Sequence, residues 1–327
     1  MNFIFFHTVT YNEKLLIAWV KAHYPELNLS FSAPGWVTFK SQRHFPLNFS
    51  CPLALRFGQG LDIIKCPEKD LNPMWKNIEI LVQDHDVDQI HYFERAEIRS
   101  EDPKILSHLK SNYPKVNSDL ELGKKSLQIF KINDGLYATG LTTLNSQSFQ
   151  SPFVGALKTS QIPAESPSRA YLKMAQIHDH FSIPWTKNDI VLELGASPGG
   201  ITTYLLEQGL LVHAIDSAPL KIEHKNLKTI VDSVQRLKVE EVFEDTHWVV
   251  SDLNLSPKQV INEVVRLCAD LPHLKGIFLT LKLTHVDLVE RLEQYVRLME
   301  KNFPEFNFKL MQVPSHKQET HLIGFRK

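Results

Sequence analysis

The sequence predicts an α/β protein whose second half is a doubly wound, mostly parallel, Rossmann-like sheet and whose first half is a smaller α+β domain. Three observations carry this. From Ile190 onward, short apolar runs alternate with helix-length amphipathic segments, the pattern of strands joined by crossover helices. Before residue 150 the alternation is irregular and includes a hairpin signal around Asn133-Asp134. Between the two, residues 146–167 hold several prolines and serines without periodicity, so they read as a linker dividing a domain at 1–150 from one at 151–327.

Residues 3–8 are predicted as the first strand, because the apolar start of the chain has no basic region ahead of it and no small-residue cleavage site behind it. Residues 12–23 form a helix with Leu15, Leu16, Trp19 and Val20 at helical spacing, and residues 36–39 a strand after Pro34-Gly35. Residues 43–73 are rich in proline and glycine with no clear period. Short strands are expected at 78–82 and 89–93, a helix at 103–112, and hairpin arms at 127–132 and 135–142. His85 with Asp84, Asp86 and Asp88 reads as a solvated acidic turn, and no metal is expected.

After the linker, Ser166-Pro167-Ser168 starts a helix in which Tyr171, Leu172, Ala175 and His178 can share a face, with Lys173 inside it. Strands follow at 190–194, 211–215, 228–231, 248–250 and 276–281, with a last pair at 309–313 and 321–326. Helices are expected at 201–207, 238–243, 258–269 after Ser256-Pro257, and 286–301. Ligands of such sheets bind beyond the carboxyl ends of the strands. Asp216, Asp232, Asp252 and Lys282 all fall at such ends.

The stretch from Asp189 to Asp216 is one strand, turn, helix and strand unit. A dinucleotide fingerprint wants glycine at the first, third and sixth positions of the turn. Here those positions hold Gly195, Ser197 and Gly200, with Ala196, Pro198 and Gly199 between them, so the fingerprint fails at its middle glycine. A ligand without phosphates, carrying an amino acid tail and a cationic sulfonium, would favour nearby carboxylates. Glu193 and Asp216 are placed to supply them, and S-adenosyl-L-methionine fits that description. A phosphate-bearing nucleotide and an ordinary tight turn are the alternatives.

Composition bounds the rest. The chain has 327 residues, 43% of them hydrophobic and 22% charged, enough for two domains. No run of about 18 apolar residues occurs, so no spanning helix and no membrane partner are expected. Cys51, Cys66 and Cys268 lie far apart, which argues against a disulfide framework or a zinc site and for a reducing, cytoplasmic compartment. The 36 basic and 37 acidic residues nearly cancel, so a nucleic-acid partner cannot be argued from global charge. Arg43, Arg56, Lys124 and Lys125 are the local candidates for tracking phosphates.

One charged residue after a strand is usually just chain leaving the core. Asp252 and Lys282, opposite charges on successive strand ends, would lie side by side near the sulfur of a cofactor held at residues 195–200. Methyl transfer to a hydroxyl needs in-line approach, a proton acceptor and neighbours that tune that acceptor. Lys282 is the candidate acceptor.

The second half resembles the FtsJ-type ribose 2′-O-methyltransferases, which have a Rossmann-like class I methyltransferase fold. The resemblance rests on S-R-x-x-x-K at residues 168–173, E-L-G-A-S-P-G-G at 193–200, Ser251-Asp252, L-K-L around Lys282, and E-T-H-L-I-G at 319–324. It implies a catalytic tetrad of Lys173, Asp252, Lys282 and Glu319. It also implies a cofactor site at Glu193, Gly195, Ala196, Ser197, Pro198, Gly199, Gly200 and Asp252, with Asp216 near the ribose and Asp232 near the adenine. Ser151-Pro152-Phe153 and residues 163–173 are similar to the RlmM family of 23S ribosomal RNA cytidine 2′-O-methyltransferases. Residues 1–150 are loosely similar to that family's ferredoxin-like piece and THUMP RNA-binding module. Ile201 and Gln318 depart from it, standing where tryptophan and arginine are frequent. Glu305 is a poorer substitute for Glu319.

The resulting expectation is a monomeric, cofactor-dependent enzyme that methylates a ribose of large-subunit ribosomal RNA or a precursor particle. Two rivals stand beside it. A methyltransferase acting on another RNA, a protein or a small molecule would leave ribosomal RNA unmodified. A non-catalytic RNA-binding protein retaining the fold would bind RNA without Lys282.

Overall fold

The computed structural model describes residues 2–42, 51–67, 70–94, 102–144, 150, 153–154, 162–238 and 244–327. The chain divides into two compact units, Met1–Lys158 and Thr159–Lys327.

The first unit starts with β1 (Asn2–His7) and α1 (Glu13–His23), whose Leu15, Leu16, Trp19 and Val20 are the buried stripe expected from their spacing. β2 (Asn28–Ala33), β3 (Trp36–Ser41), β4 (Arg56–Lys65), α2 (Asn72–His85), β5 (Gln89–Glu94), α3 (Pro103–Asn112), β6 (Lys125–Asn133) and β7 (Leu136–Thr143) follow. They build one seven-stranded sheet in the order β2-β3-β1-β4-β7-β6-β5. Of the pairings between these strands only β5–β6 is parallel. Met74 and Ile78 of α2 and Ile105 and Leu109 of α3 are buried in one cluster with Ile90, Leu127 and Ile129 of the sheet. The hairpin turns at Asp134-Gly135, where Gly135 adopts φ +81°, as the Asn133-Asp134 signal implied.

Two expectations fail in this unit. Residues 78–82 are not a strand; they lie in α2. Pro73 sits in the first turn, where its missing N–H costs nothing. The packing pair is Met74 and Ile78, one helical turn apart and both buried, while Ile80 is 46% exposed. The brief apolar alternation at 78–82 is therefore incidental to a helical stripe that begins before it. Residues 56–65, where no period was legible, form β4. Gly58 breaks the alternation there because a Cβ would collide with the Leu141 carbonyl of β7.

The second unit contains α4 (Tyr171–Phe181), β8 (Ile190–Leu194), α5 (Gly200–Glu207), β9 (Leu211–Asp216), β10 (Leu227–Val231), β11 (Thr246–Ser251), α6 (Pro257–Cys268), β12 (Gly276–Lys282), a 3-10 segment (Val286–Arg291), α7 (Leu292–Asn302), β13 (Phe306–Met311) and β14 (Glu319–Arg326). Its sheet runs β10-β9-β8-β11-β12-β14-β13. Pairings from β10 across to β12 are parallel, and β14 inserts antiparallel between β12 and β13. Strand order therefore reverses between β8 and β11, the point at which such sheets open a ligand crevice. The central strand β8 has Val191, Leu192, Glu193 and Leu194 all buried, and α4, α5 and strands from β8 to β13 share one core.

α6 opens with a capping box. The Ser256 side chain receives the Gln259 backbone N–H, and the Ser256 N–H donates to Gln259 Oε1. The helix expected at 286–301 is divided instead, because α7 anchors through Leu292, Tyr295 and Met299 whereas Val289 alone is buried in the 3-10 segment. The helix expected at 238–243 and most of the linker at 146–167 lie outside the described residues. Cys51, Cys66 and Cys268 are buried free thiols. Among the described residues no helix is long and apolar enough to cross a membrane.

Candidate active site

The crevice at the switch point is floored by the turn 195–200. Gly195 adopts φ +83°, and a Cβ there would stand 2.9 Å from Asp252 C and Leu253 N, so glycine lets this turn close onto the loop after β11. Asp216 folds back onto the turn: its Oδ2 accepts from the Ser197 N–H at 3.0 Å and its Oδ1 from the Ala218 N–H at 2.9 Å. Ala196 is buried, and Gly199, at φ +115°, precedes α5. The Pro198 carbonyl accepts from the Lys221 N–H at 3.2 Å. Asp232 lies just past β10, where it accepts from the Ser233 N–H at 2.6 Å and from Arg236 Nε at 2.8 Å.

Glu193, on β8 below the turn, is almost wholly buried. Its Oε2 accepts from Thr202 Oγ1 at 2.7 Å, and its Oε1 has no hydrogen-bond partner. Burial pushes its carboxyl up to about 8, with Asp252 and Asp216 adding to the rise and the Thr202 hydroxyl opposing it. At neutral pH Glu193 is a protonated acid.

The four residues of the implied tetrad come together from four elements. Asp252 directly follows β11, Lys282 ends β12, Glu319 begins β14, and Lys173 reaches in from α4. Lys282 Nζ donates to Asp252 Oδ1 at 2.8 Å and to Glu319 Oε1 at 2.6 Å. Lys173 Nζ donates to both Asp252 oxygens at 2.9 Å and makes an ion-pair contact with Glu319 Oε2 at 2.9 Å. Two ammoniums and two carboxylates thus form a closed ring with side chains only 11–19% exposed. Glu305 has no part in it; it contacts Arg326 at the far end of β14, roughly 20 Å along the strand from Glu319.

Electrostatics follows from that ring. For Asp252, burial favours the neutral form, but the ammoniums of Lys173 and Lys282 outweigh it and hold the carboxyl below its ordinary range. For Lys282, burial favours loss of the proton, but Asp252 and Glu319 outweigh it and raise the amine to about 12. Asp252 and Lys282 thus face each other as an ion pair at neutral pH.

Other residues are placed differently from what the sequence suggested. Arg56 cannot track phosphates: it is fully buried, its Nη2 donates to the Phe153 carbonyl at 2.6 Å, and burial lowers it to about 9. Arg43 lies outside the described residues. Lys124 pairs with Asp88 at 3.1 Å, and Lys125 Nζ donates to the His85 carbonyl at 3.2 Å, so the acidic turn after α2 is tied to the start of β6. Sequence reasoning passed over His316 and His321, both buried beside the tetrad. His321 follows Glu319 by two on one strand, and that spacing was the available signal.

The turn carries no basic side chain; the carboxyl groups of Asp216 and Asp252 flank it, and Glu193 beneath it is a neutral acid that can hydrogen-bond but adds no charge. That donor set suits a ligand with cationic centres better than one with phosphates, and Glu193 Oε1 leaves a buried polar atom without a protein partner. Residues 167–312 match the family model described as FtsJ-like methyltransferase. Ribosomal RNA large subunit methyltransferase M of Shewanella amazonensis is 32% identical over 132 residues, 37% of this chain and 35% of that protein. The protein of the same name from Saccharophagus degradans is 26% identical over 196 residues, covering 55% and 54%. The chain thus spans between about a third and a half of the length of these relatives. The crystal structure of TrmN from Thermus thermophilus superposes with a TM-score of 0.36 at 12% identity, covering 100% of both chains. The second unit has the fold of an S-adenosyl-L-methionine-dependent methyltransferase, similar over residues 167–312 to the FtsJ-like type and at low identity to these bacterial proteins.

Proposed function

We propose that this protein is an RNA ribose 2′-O-methyltransferase that acts on a cytidine of large-subunit (23S) ribosomal RNA. The closed ring of Lys173, Asp252, Lys282 and Glu319 beside the glycine turn supports this reading most directly. The names of the matched relatives support the choice of substrate. Only RNA offers the 2′-hydroxyl that such a ring would activate. The first unit is assigned to RNA binding, as a ferredoxin-like and THUMP-like domain, and the protein to the cytoplasm.

The turn 195–200, with Asp216 and Asp232, would hold the cofactor, which when bound supplies an already activated methyl group. The chain's own residues then have to orient a hydroxyl and take its proton. Lys282 is the proton acceptor: in its neutral form it gains an N–H as the ribose O–H breaks. The ammonium so formed returns to its resting contacts with Asp252 and Glu319. Lys173 neutralises the second carboxylate charge and orients the target nucleotide. The competent ring is one proton short of the resting one, so the carboxylates that stabilise the product state also oppose the reactive one.

Incubation with radiolabelled cofactor and unmodified ribosomal RNA, followed by alkaline hydrolysis, tests the reading. A methylated ribose leaves a labelled, uncleaved dinucleotide. Complete cleavage with label on a base, or no labelled RNA at all, would overturn it.

A further inference from the structure

Two histidines lie against the tetrad and take no part in the chemistry assigned to it. His316 is fully buried in the loop between β13 and β14, and His321 is nearly so on β14. Their rings meet edge to face with centroids 4.2 Å apart. In the antiparallel register Glu319 stands opposite Lys282 and His321 opposite Thr280. Glu319 and His321 therefore share a sheet face, with His321 one pleat further from the mouth of the crevice.

The loop carrying His316 is fastened at several points. The Val313 N–H donates to His316 Nδ1 at 3.3 Å, which places the imidazole proton on Nε2. The Ser315 N–H donates to Gln176 Oε1 at 3.0 Å, and Gln176 lies one helical turn after Lys173 on α4. The Leu283 N–H donates to the Gln318 carbonyl at 2.7 Å, immediately before Glu319, and Gln318 adopts φ +52° there. Thr280 Oγ1 and His321 Nδ1 are 3.3 Å apart. Glu319 thus begins its strand directly after a loop whose buried anchor is His316, and His321 stands two residues beyond it on the same face.

Both imidazoles are neutral. Burial is the main cause, and the ammoniums of Lys173 and Lys282 add to it; His321 is held at about 3. A charged imidazole would press a third cation on the ring.

We propose, resting on the tetrad reading above, that His316 and His321 are positioning residues that hold Glu319 against Lys282 and thereby set the pH at which Lys282 gives up its proton. The charged and titratable groups bearing on Lys282 are Asp252 after β11, Glu319 on β14 and Lys173 on α4, together with the two buried histidines, which both feel the Lys282 ammonium. Glu193 acts on Asp252 from β8. If the His316 anchor is loosened, Glu319 withdraws and Lys282 keeps one carboxylate of its two. The alkaline limb of the rate then moves to lower pH.

The test compares His316→Phe, which keeps an aromatic ring but removes the acceptor for the Val313 N–H, with His316→Asn, which keeps an acceptor close to the place of Nδ1. His321→Asn is the second site. The readouts are methyl transfer to unmodified ribosomal RNA from pH 6 to 10.5 and calorimetric cofactor binding, both on the full chain. His316→Phe is expected to change kcat roughly tenfold or more, as small misplacements of reacting groups do. Its rate should also level off at lower pH than that of the wild type, with cofactor affinity unchanged and the limb restored in His316→Asn. A loss of thermal stability with an unmoved pH profile overturns the proposal, as does a wild-type profile in both His316→Phe and His321→Asn. Should His316→Phe fail to bind cofactor, the profile of His321→Asn decides alone. Lys282→Ala in the same assay separates the two readings: if it is fully active the tetrad assignment falls, and if it is inactive the histidines are judged by their own profiles.

Discussion

Lys282 Nζ stands 2.6 Å from Glu319 Oε1, and the same two residues are Cα partners in the antiparallel register of β12 with β14. A strand running against the parallel sheet is what allows this. It enters the crevice at its amino end, so Glu319 and Lys282 meet at the same rim although 37 residues separate them. Replacing Lys282 with methionine, which keeps length and volume but not the amine, is expected to lower methyl transfer by about two to four orders of magnitude, the range for losing a positioned proton acceptor. Cofactor affinity measured by calorimetry should change little. Methyl transfer by Lys282→Met within tenfold of the wild-type rate would remove Lys282 from the chemistry.

The pH dependence has a definite sign. With the Lys282 amine raised to about 12, its neutral form is scarce at neutral pH and grows tenfold with each pH unit. The log of kcat is expected to climb with a slope near one from pH 7 to at least pH 9.5, measured where calorimetry shows cofactor still bound. For folding stability the sign is opposite. A folded-state value above the unfolded one of about 10.4 gives stability that is full below pH 10 and lost as pH rises through 12. A rate that is flat from pH 7 to 9 would mean that the proton goes elsewhere.

Most of the second unit was legible because its central strands β8, β11 and β12 are buried on both faces and read as short apolar runs, with Asp252 just past β11 and Lys282 at the end of β12. Asp252 and Lys282 were readable one by one on that basis. Lys173 was not, since a lysine inside a helix resembles any solvated lysine until Asp252 is known to face it at 2.9 Å. His316 and His321 escaped notice because buried imidazoles held by backbone contacts leave no motif. In the first unit β4 was missed because Gly58 and Gly60 make room for β7 and for Phe3 of β1, which removes the apolar beat that marks a strand. α2 resembles a strand at 78–82 because only the second of its packing residues, Ile78, falls in that run, the first, Met74, standing one helical turn before it.

Asp189 illustrates a charged residue that supports the fold from the opposite edge of the sheet. Its Oδ2 accepts from Trp248 Nε1 at 2.8 Å and its Oδ1 from Lys275 Nζ at 2.8 Å. Burial works against the ionised form, but these donors outweigh it and hold the carboxyl below its ordinary range. Asp189→Ala strands the buried indole N–H and should cost about 2–4 kcal/mol in urea unfolding. The stability Asp189 supplies is present above its unfolded value and disappears as pH falls through the folded one. Because it lies at the amino end of β8, kcat at a permissive temperature should stay within twofold of wild type. A large loss of kcat without loss of stability would contradict this.

Gly195→Ala tests whether the turn and the loop after β11 need contact closer than a methyl group allows. At φ +83° an alanine is strained by about 1–2 kcal/mol before any clash, and its Cβ would stand 2.9 Å from two backbone atoms of Asp252 and Leu253. The loop must move, taking Asp252 with it. The variant is expected to lose cofactor binding at least tenfold, alongside a lower Tm. Wild-type affinity for the cofactor in a folded Gly195→Ala would show that this turn does not hold it.

Glu193 is a carboxyl that burial keeps as an acid. Its carboxyl is held at about 8, so from the unfolded value of about 4.3 up to pH 8 the folded protein keeps a proton that the unfolded chain has released. Stability contributed by this residue therefore falls as pH rises across that window. Glu193→Gln presents the same shape, keeps an oxygen that can accept from Thr202 Oγ1, and has no proton to lose. The variant is expected to match the wild type near pH 5 and to exceed its Tm by a margin that widens towards pH 8, followed by differential scanning calorimetry in matched buffers. If Glu193→Gln is instead less stable than the wild type at pH 8, the carboxylate is ionised in the folded protein and the crevice carries one more negative charge than its burial allows.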